Sequence, residues 1–278
     1  MKKIFKIVSI LFISAIIFYI YARVIEPELL TVHYETIYSN LISGNDNGIK
    51  ILQFSDTHVS AHFDIADLKH AVSKINEENP DIVFFTGDLI DEFSSYEDKG
   101  KVHEIWETLG LIKAPLKYAI YGNHDYGGGA EKVYKQIMEN SGFDVLINEK
   151  SELEQYNINI IGMDDSIFGN YNNEIFPDFL DKESYNIVLS HEPDVVDYWL
   201  EYNIDLFLSG HSHGGQINLP VVNSLPLLAK KYTRGLYGFE NARQTQLYVN
   251  IGLGTSILPM RFMAAPELSV FILKGNEQ

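Results

Sequence analysis

Apolar and polar positions follow three regimes along this chain. The first is an unbroken apolar run, because no residue between Lys6 and Arg23 is charged. Ile4 to Ala22 gives 19 residues, about 28 Å as a helix, close to the thickness of a bilayer's hydrocarbon layer. Residues 1–23 are therefore expected to be a single membrane-spanning anchor, with Lys6 snorkelling. The rival is a cleaved leader, but cleavage after Ala22 would put bulky Ile20 where a small residue is required. Lysines precede the span, while Arg23, Glu26 and Glu28 follow it. The positive-inside rule then leaves the N-terminus in the cytoplasm and the rest of the chain on the extracytoplasmic face of the cell membrane. No twin-arginine pair is present.

The second regime alternates short apolar runs with helical periodicity. Residues 24–44 read as a connector that carries an edge strand over Leu30–Ile37, and Asn45 to Gly48 as a turn. Ile49 to Phe54 is a continuous apolar run, the pattern of a strand buried on both faces. Asp64 to Asn79 places Ile65, Leu68, Val72 and Ile75 at helical spacing, with Asp64 as N-cap and Pro80 beyond the end. A strand over Ile82–Thr86, a helix over Val102–Leu109, a strand over Leu116–Tyr121 and a helix over Glu131–Asn140 follow.

From Val145 the third regime is richer in strand. A hairpin is expected over Glu152–Tyr156 and Ile158–Met163, turning at Asn157. Then come a strand over Asn186–Ser190, a helix over Asp194–Tyr202 and a strand over Leu206–Ser209. Strands over Gln216–Leu219, Gln246–Asn250 and Leu268–Leu273 close the chain. Helix-alternating strands first and more strand later predict two packed sheets flanked by helices, in one domain over 45–278.

Composition narrows the chemistry. The 278 residues are 46% hydrophobic and 21% charged, enough for one full core. There is no cysteine, which excludes disulfides, thiolate metal sites and cysteine nucleophiles. The net charge is −17, and the first 23 residues hold four basic residues and no acid. The remainder carries 17 basic against 38 acidic residues, a net of −21. Such a surface is soluble and repels nucleic acid, so no nucleic-acid partner is expected.

Five expected strand ends carry polar groups: Asp56-Thr57-His58, Gly87-Asp88-Leu89-Ile90-Asp91, Gly122-Asn123-His124-Asp125, Ser190-His191-Glu192, and Gly210-His211-Ser212-His213-Gly214-Gly215. Residues two apart in an extended chain point to one side, so Asp56 and His58 can reach one ion together. One such pair is commonplace, and a lone His or Asp is more often a satisfied core residue or a cap. Five of the nine histidines falling at strand ends are not explained that way. His33, His62, His70 and His103 lie outside the set.

The order D-x-H, G-D-x-x-D, G-N-H-D, a lone H and G-H-x-H resembles the calcineurin-like metallophosphoesterase family. The resemblance covers roughly residues 50–213 and implies a four-layer α/β/β/α sandwich with a two-metal site at the strand ends. Carried over by position, Asp56, His58 and His213 would hold one metal, Asp88 would bridge, and Asn123, His191 and His211 would complete the other. His124 is similar to the family's catalytic histidine, Asp125 would orient it, and Asp91 would support the loop. The implied reaction is in-line attack on phosphorus by a hydroxide that bridges two divalent ions, with His124 protonating the leaving group. Mixed oxygen and nitrogen ligands suit Mn²⁺, Fe or Zn²⁺.

Gly214-Gly215-Gln216, Gly252 to Ser256 and Pro259-Met260-Arg261 extend the resemblance toward a membrane-associated branch that includes UDP-2,3-diacylglucosamine pyrophosphatases. A phosphorylated small molecule or lipid is the substrate this implies, cleaved at a phosphodiester or pyrophosphate bond. The alternatives are a phosphomonoesterase or nuclease on the same fold, or a non-catalytic membrane sensor that retains it. Leu225 to Ala229 runs into Lys230, Lys231, Tyr232 and Arg234, and Leu258 to Met263 sets apolar residues around Arg261. These stretches are either core strand and turn or a greasy, basic lip that faces the membrane.

Overall fold

In the computed structural model, residues 1–42, 47–96, 99–172, 174–218 and 229–275 are described. An N-terminal helix α1 (Lys2–Ile20) continues through a π-helical turn (Tyr21–Ile25) and a 3-10 turn (Glu26–Glu28). It is the one described helix long and apolar enough to cross a membrane. None of its residues is buried by the rest of the protein.

The strands in chain order are β1 (Thr31–Tyr38), β2 (Ile49–Phe54), β3 (Ile82–Phe85), β4 (Leu116–Ala119), β5 (Asp144–Val145) and β6 (Glu149–Leu153). They continue with β7 (Ile158–Gly162), β8 (Tyr185–Leu189), β9 (Leu206–Ser209), β10 (Gly235–Gly238), β11 (Gln246–Val249) and β12 (Glu267–Lys274). Two six-stranded sheets result, in the orders β1-β12-β2-β3-β4-β5 and β10-β11-β9-β8-β7-β6. The helices are α2 (Ile65–Glu78), α3 (Val102–Leu109), α4 (Asn123–Gly127) and α5 (Glu131–Asn140). This is a mixed α/β architecture with two packed sheets.

The period-2 geometry of a strand sorts each apolar run between two cores. Ile49, Ile51, Ile82 and Phe84 face the second sheet, where they meet Ile160, Ile187, Leu189, Leu206 and Leu208. Leu52, Phe54, Val83 and Phe85 face the opposite way, onto Leu68, Val72 and Ile75 of α2, Ile105 of α3 and Ile137 of α5. Each such side chain contributes about 1.5–3 kcal/mol when fully buried. Because both faces are covered, these strands read as continuous apolar runs.

The outer layer on the second sheet differs from the expected helix. The segment expected as Asp194–Tyr202 forms a 3-10 helix over Pro193–Tyr198. Its continuation, Trp199 N–H to Val196 and Tyr202 N–H to Trp199, also spans three residues instead of four. The tighter winding presses Val195, Val196 and Trp199 onto Val188 and Phe207. The hairpin also shifts. A 3-10 turn over Glu154–Tyr156 ends at Asn157 in the left-handed region, so the first strand ends at Leu153.

Among the described residues of the expected strand Gln216–Leu219, Ile217 makes only an isolated bridge to Phe262; Leu219 lies outside the described residues, as do Asn45, Asp46 and Leu225 to Leu228. Two short strands, β5 and β10, have no clear apolar signature and were not anticipated by periodicity.

β1 pairs in parallel with β12, so residues 31–38 form the edge of the first sheet. Immediately before it, buried Glu26 accepts the Ala264 N–H at 2.6 Å, and Thr31 donates from both N and Oγ1 to Pro266 O at 2.8 Å.

β2, β3 and β4 run parallel to one another, and β7, β8 and β9 do the same in the second sheet. Their carboxyl ends gather on one edge of the sandwich, and the loops there carry the polar motifs.

α2 begins as its sequence requires. Asp64 Oδ1 accepts from Ala66 N at 2.7 Å and Asp67 N at 3.2 Å, while Asp67 Oδ2 accepts from Asp64 N at 2.8 Å. Replacing Asp64 by Ala removes this reciprocal cap, at a cost of about 1 kcal/mol. Thermal unfolding of the full chain in detergent should then shift down by about 2–4 °C. An unchanged midpoint would contradict the cap's role.

Candidate metal centre

The strands stop where carboxylates and imidazoles begin, and the backbone turns sharply there. Asp56, His58, Asp88, His211 and His213 all have positive φ, between 43° and 68°. Non-glycine residues seldom adopt this region, at about 1–3 kcal/mol each, and they persist where surrounding contacts over-determine them. Those contacts are present. Asp56 N–H donates to Gly87 O at 2.9 Å, His58 N–H to Asp88 O at 3.2 Å, and Val59 N–H to Leu89 O at 2.8 Å. Each turn aims its side chain into the gap above the two sheets.

The side chains converge. His58 Nε2 stands 3.0 Å from His213 Nε2, and His213 Nε2 lies 3.5 Å from Asp56 Oδ1. Asp88 Oδ2 lies between two imidazoles, 3.5 Å from His58 Nε2 and 3.1 Å from His191 Nε2. His211 Nδ1 meets Asn123 Oδ1 at 2.8 Å. Asp56, His58, Asp88, His191, His211 and His213 are all buried. All seven residues expected as ligands therefore come to one edge of the sandwich.

Several of these groups are oriented by partners that the sequence did not reveal. His191 Nδ1 donates to Thr86 O at 2.7 Å, and its buried Nε2 makes no hydrogen bond. That fixes the tautomer that offers Nε2 to the gap. Asp91 Oδ1 takes His58 Nδ1 at 3.1 Å, and Asp91 O takes His124 Nδ1 at 2.6 Å. Asp91 thus orients both rings and does more than support its loop.

Asp125, expected to orient His124, does not do so. Its carboxylate accepts from the backbone N–H groups of Gly122, Asp88 and Leu89 at 2.9–3.0 Å. It follows His124 in a single helical turn, where neighbouring side chains point apart, and it is aimed at the loop after β3. Ser55 bonds Asp56 Oδ2, and Asn250 Oδ1 accepts from Ser55 Oγ at 3.0 Å and Gly252 N at 2.8 Å. Asn250 follows β11 directly, so strand-end position was the signal that could have found it. Glu192 accepts from Ser166 Oγ at 2.8 Å, and its buried Oε1 makes no hydrogen bond.

Electrostatics follow from this crowding. Burial pushes the Asp56 and Asp88 carboxyls up, but the histidines around them outweigh it and hold both well below the usual range. Burial pushes His58 down, yet Asp56, Asp91 and Asp88 raise it to about 10. His213 is held well below its ordinary value by burial and by the charge on His58. Asp125 is pushed up to about 7 by burial and by Asp88.

Buried carboxylates beside buried imidazoles, with nitrogen atoms facing each other at 3.0 Å, need positive charge between them. Asp56, His58 and His213 form one group whose donor atoms lie within 4.8 Å of one another; Asp56, Asp88 and His191 form another; His191, Glu192 and His211 form a third. Ligands about 2.0–2.2 Å from a divalent ion sit roughly 3–4 Å apart, which these spacings fit. His62, outside the motifs, instead meets Arg23 Nη2 at 2.9 Å.

Two sheets whose strand ends deliver aspartate, asparagine and histidine define the class as a metal-dependent phosphoesterase fold. Residues 49–215 match the calcineurin-like phosphoesterase family, and the chain belongs to it. It is accordingly a hydrolase of phosphate ester or anhydride bonds. The uncharacterized metallophosphoesterase YkuE of Bacillus subtilis is 42% identical over 264 residues, covering 93% of this chain and 90% of that protein. The UDP-2,3-diacylglucosamine pyrophosphatase LpxG of Chlamydia trachomatis is 28% identical, covering 92% of each chain. A dimetal phosphatase from Danio rerio shares the fold at a TM-score of 0.51 and 12% identity, over 75% of this chain and 88% of that one.

Close approach of backbone makes the site possible at Gly122, where an added Cβ would lie 2.3 Å from Asp88 Oδ1 and 2.6 Å from Asp88 N. Gly122→Ala should displace Asp88 and weaken Mn²⁺ binding by roughly 10–100-fold while far-UV circular dichroism stays unchanged. Calorimetric titration measures this, and equal affinity would contradict the placement of Asp88.

Proposed function

We propose that this protein is a membrane-anchored, two-metal hydrolase that cleaves a phosphodiester or pyrophosphate bond in a lipid-linked substrate such as a UDP-diacylglucosamine-like molecule. The observation that carries the reading is the position of Asp88 Oδ2, 3.5 Å from His58 and 3.1 Å from His191, between two sets of donors. In this reading Asp56, His58 and His213 hold one divalent ion, Asn123, His191 and His211 hold the other, and Asp88 is shared. Two such ions, Mn²⁺, Fe or Zn²⁺ by donor type, would supply Lewis-acid polarisation of a phosphoryl group and an acidified water.

The chain's own groups do the rest. The His124 backbone N–H donates to Asp88 Oδ1 at 2.8 Å and fixes the start of α4 against the site. His124 Nδ1 is committed to Asp91 O, so Nε2 is the atom left to give a proton to the departing oxygen. The ring stands edge-on to His58 with centroids 4.7 Å apart, which keeps it beside the site. No serine or cysteine nucleophile is needed.

A lipid-linked substrate is supported by α1 and by the likeness to LpxG proteins. Lysines ahead of α1 support an extracytoplasmic domain. The packing of residues 18–26 on the domain supports retention of α1, since Ala22 is buried and its carbonyl accepts the Arg261 N–H at 2.8 Å. The acidic surface favours small phosphorylated substrates over nucleic acids.

The test follows hydrolysis of an aryl phosphodiester and of a lipid-linked pyrophosphate by metal-stripped full chain, with and without Mn²⁺. Turnover should require metal and vanish in Asp88→Asn. His124→Ala should keep its metal yet lose about 10²–10⁴ in rate. Full activity in Asp88→Asn, or turnover without metal, would contradict the reading.

A further inference from the structure

The loop over residues 255–263 combines three features that do not belong together on a soluble surface. Ile257, Leu258 and Met263 are exposed by 68%, 43% and 56%. Ile257 and Met263 have positive φ, of 63° and 54°, and for a β-branched residue such as isoleucine that backbone is strained. The loop is nevertheless held firmly. Arg261 is fully buried and donates to the carbonyls of Ile251, Gly252, Gly254 and Ala264 at 2.8–3.1 Å. A strained, well-anchored backbone that presents apolar side chains outward needs an apolar environment outside.

The membrane helix shows which environment that is. Phe262 packs edge-on against Phe18 of α1 with ring centroids 4.8 Å apart, and against Tyr21 at 6.1 Å. Phe18 precedes the end of the apolar stretch at Ala22 by four residues, about 6 Å along the helix axis. A loop that touches Phe18 is therefore level with the last turn of the span. That depth matches the boundary between headgroups and acyl chains, about 5–10 Å below the surface. Exposed Arg234, whose guanidinium holds Met263 O at 3.0 Å and Gly214 O at 2.7 Å, stands where lipid phosphates would be.

We propose that residues 257–263 form a second membrane contact, with Ile257, Leu258 and Met263 immersed in the bilayer that holds α1. The proposal rests on the reading of α1 as a membrane span. It has a consequence for the site, because the same loop is tied to two strand ends that carry the aspartate and histidine groups. Gly254 N–H donates to Asp56 O at 2.7 Å. Gln216, three residues past His213, accepts from Ser256 N at 3.0 Å and Phe262 N at 2.9 Å. Seating the loop in the headgroup layer holds the mouth of the site at the lipid surface, so a lipid headgroup reaches it without its acyl chains leaving the bilayer.

The chain has no cysteine, so single cysteines can be introduced and labelled in the full protein. Ile257→Cys, Met263→Cys and Glu183→Cys would each carry an environment-sensitive fluorophore in phosphatidylcholine nanodiscs with and without doxyl-labelled lipid. Glu183 precedes β8, at the sheet end opposite the site. Emission at 257 and 263 should shift to the blue and be quenched about twofold or more by doxyl lipid, while 183 stays unquenched. Labels at 257 and 263 that behave like 183 would overturn the proposal while leaving the anchor intact. A blue shift without lipid quenching would place the loop against a second copy of the chain and overturn it also. Failure of every variant to float with lipid would remove the anchor reading and the loop proposal together.

Discussion

Two carboxylates, Asp56 and Asp88, are buried at the ends of adjacent strands. Burying even one isolated charge is costly, and two of like sign side by side are sustainable only if positive charge is built in around them. The surrounding architecture answers that demand. His58, held protonated, lies 3.8 Å from Asp56 and 3.5 Å from Asp88, and the rings of His191 and His213 lie within 4.0 Å of one or both carboxylates. Asp56 also takes the His211 N–H, and Asp88 the His124 N–H. The left-handed backbone at five of these positions is the local cost of pointing short side chains back over the sheet edge. In the reading proposed here, divalent ions complete this balance.

The dependence extends outward. Asp91 and Thr86 hold imidazoles through the nitrogen that faces away from the gap, and Gly122 lets one strand end close on another. At the opposite margin, the Gly252–Gly254 backbone lies on Asp56 and Thr57, while Arg261 ties that backbone to Ala22 in the π-helical turn after α1. The N-terminal apolar helix and the polar centre are thus joined through a single hydrogen-bonded loop, and the placement of one constrains the other.

Much of this was legible in the sequence, for identifiable reasons. Strands buried on both faces leave continuous apolar runs, so Leu206–Ser209 matches residue for residue, and Ile82–Phe85 to within one residue. Amphipathic helices packed on one side keep their 3.6-residue spacing, so Val102–Leu109 and Glu131–Asn140 match as well. What failed depends on contacts distant in sequence. Pro193 to Tyr198 carries apolar residues that suit a helix, and only its fit against β8 and β9 selects the 3-10 form. β10 is Gly-Leu-Tyr-Gly, half glycine, and is a strand because β11 pairs with it. The polar residues were visible as strand-end motifs, but their partners were not. That Asp91, rather than Asp125, meets the rings of His58 and His124 follows from how the loop after β3 folds back.

In the proposed reading, this edge of the sandwich holds a coupled pair of divalent ions around a shared Asp88. The most direct test titrates metal-stripped full chain with Mn²⁺, quantifies bound metal and records electron paramagnetic resonance of the loaded protein. Two ions per chain and an exchange-coupled spectrum are expected for ions about 3.5–4 Å apart, with the coupling lost in Asp88→Asn. A single bound ion with an isolated Mn²⁺ spectrum in the wild-type protein would contradict it.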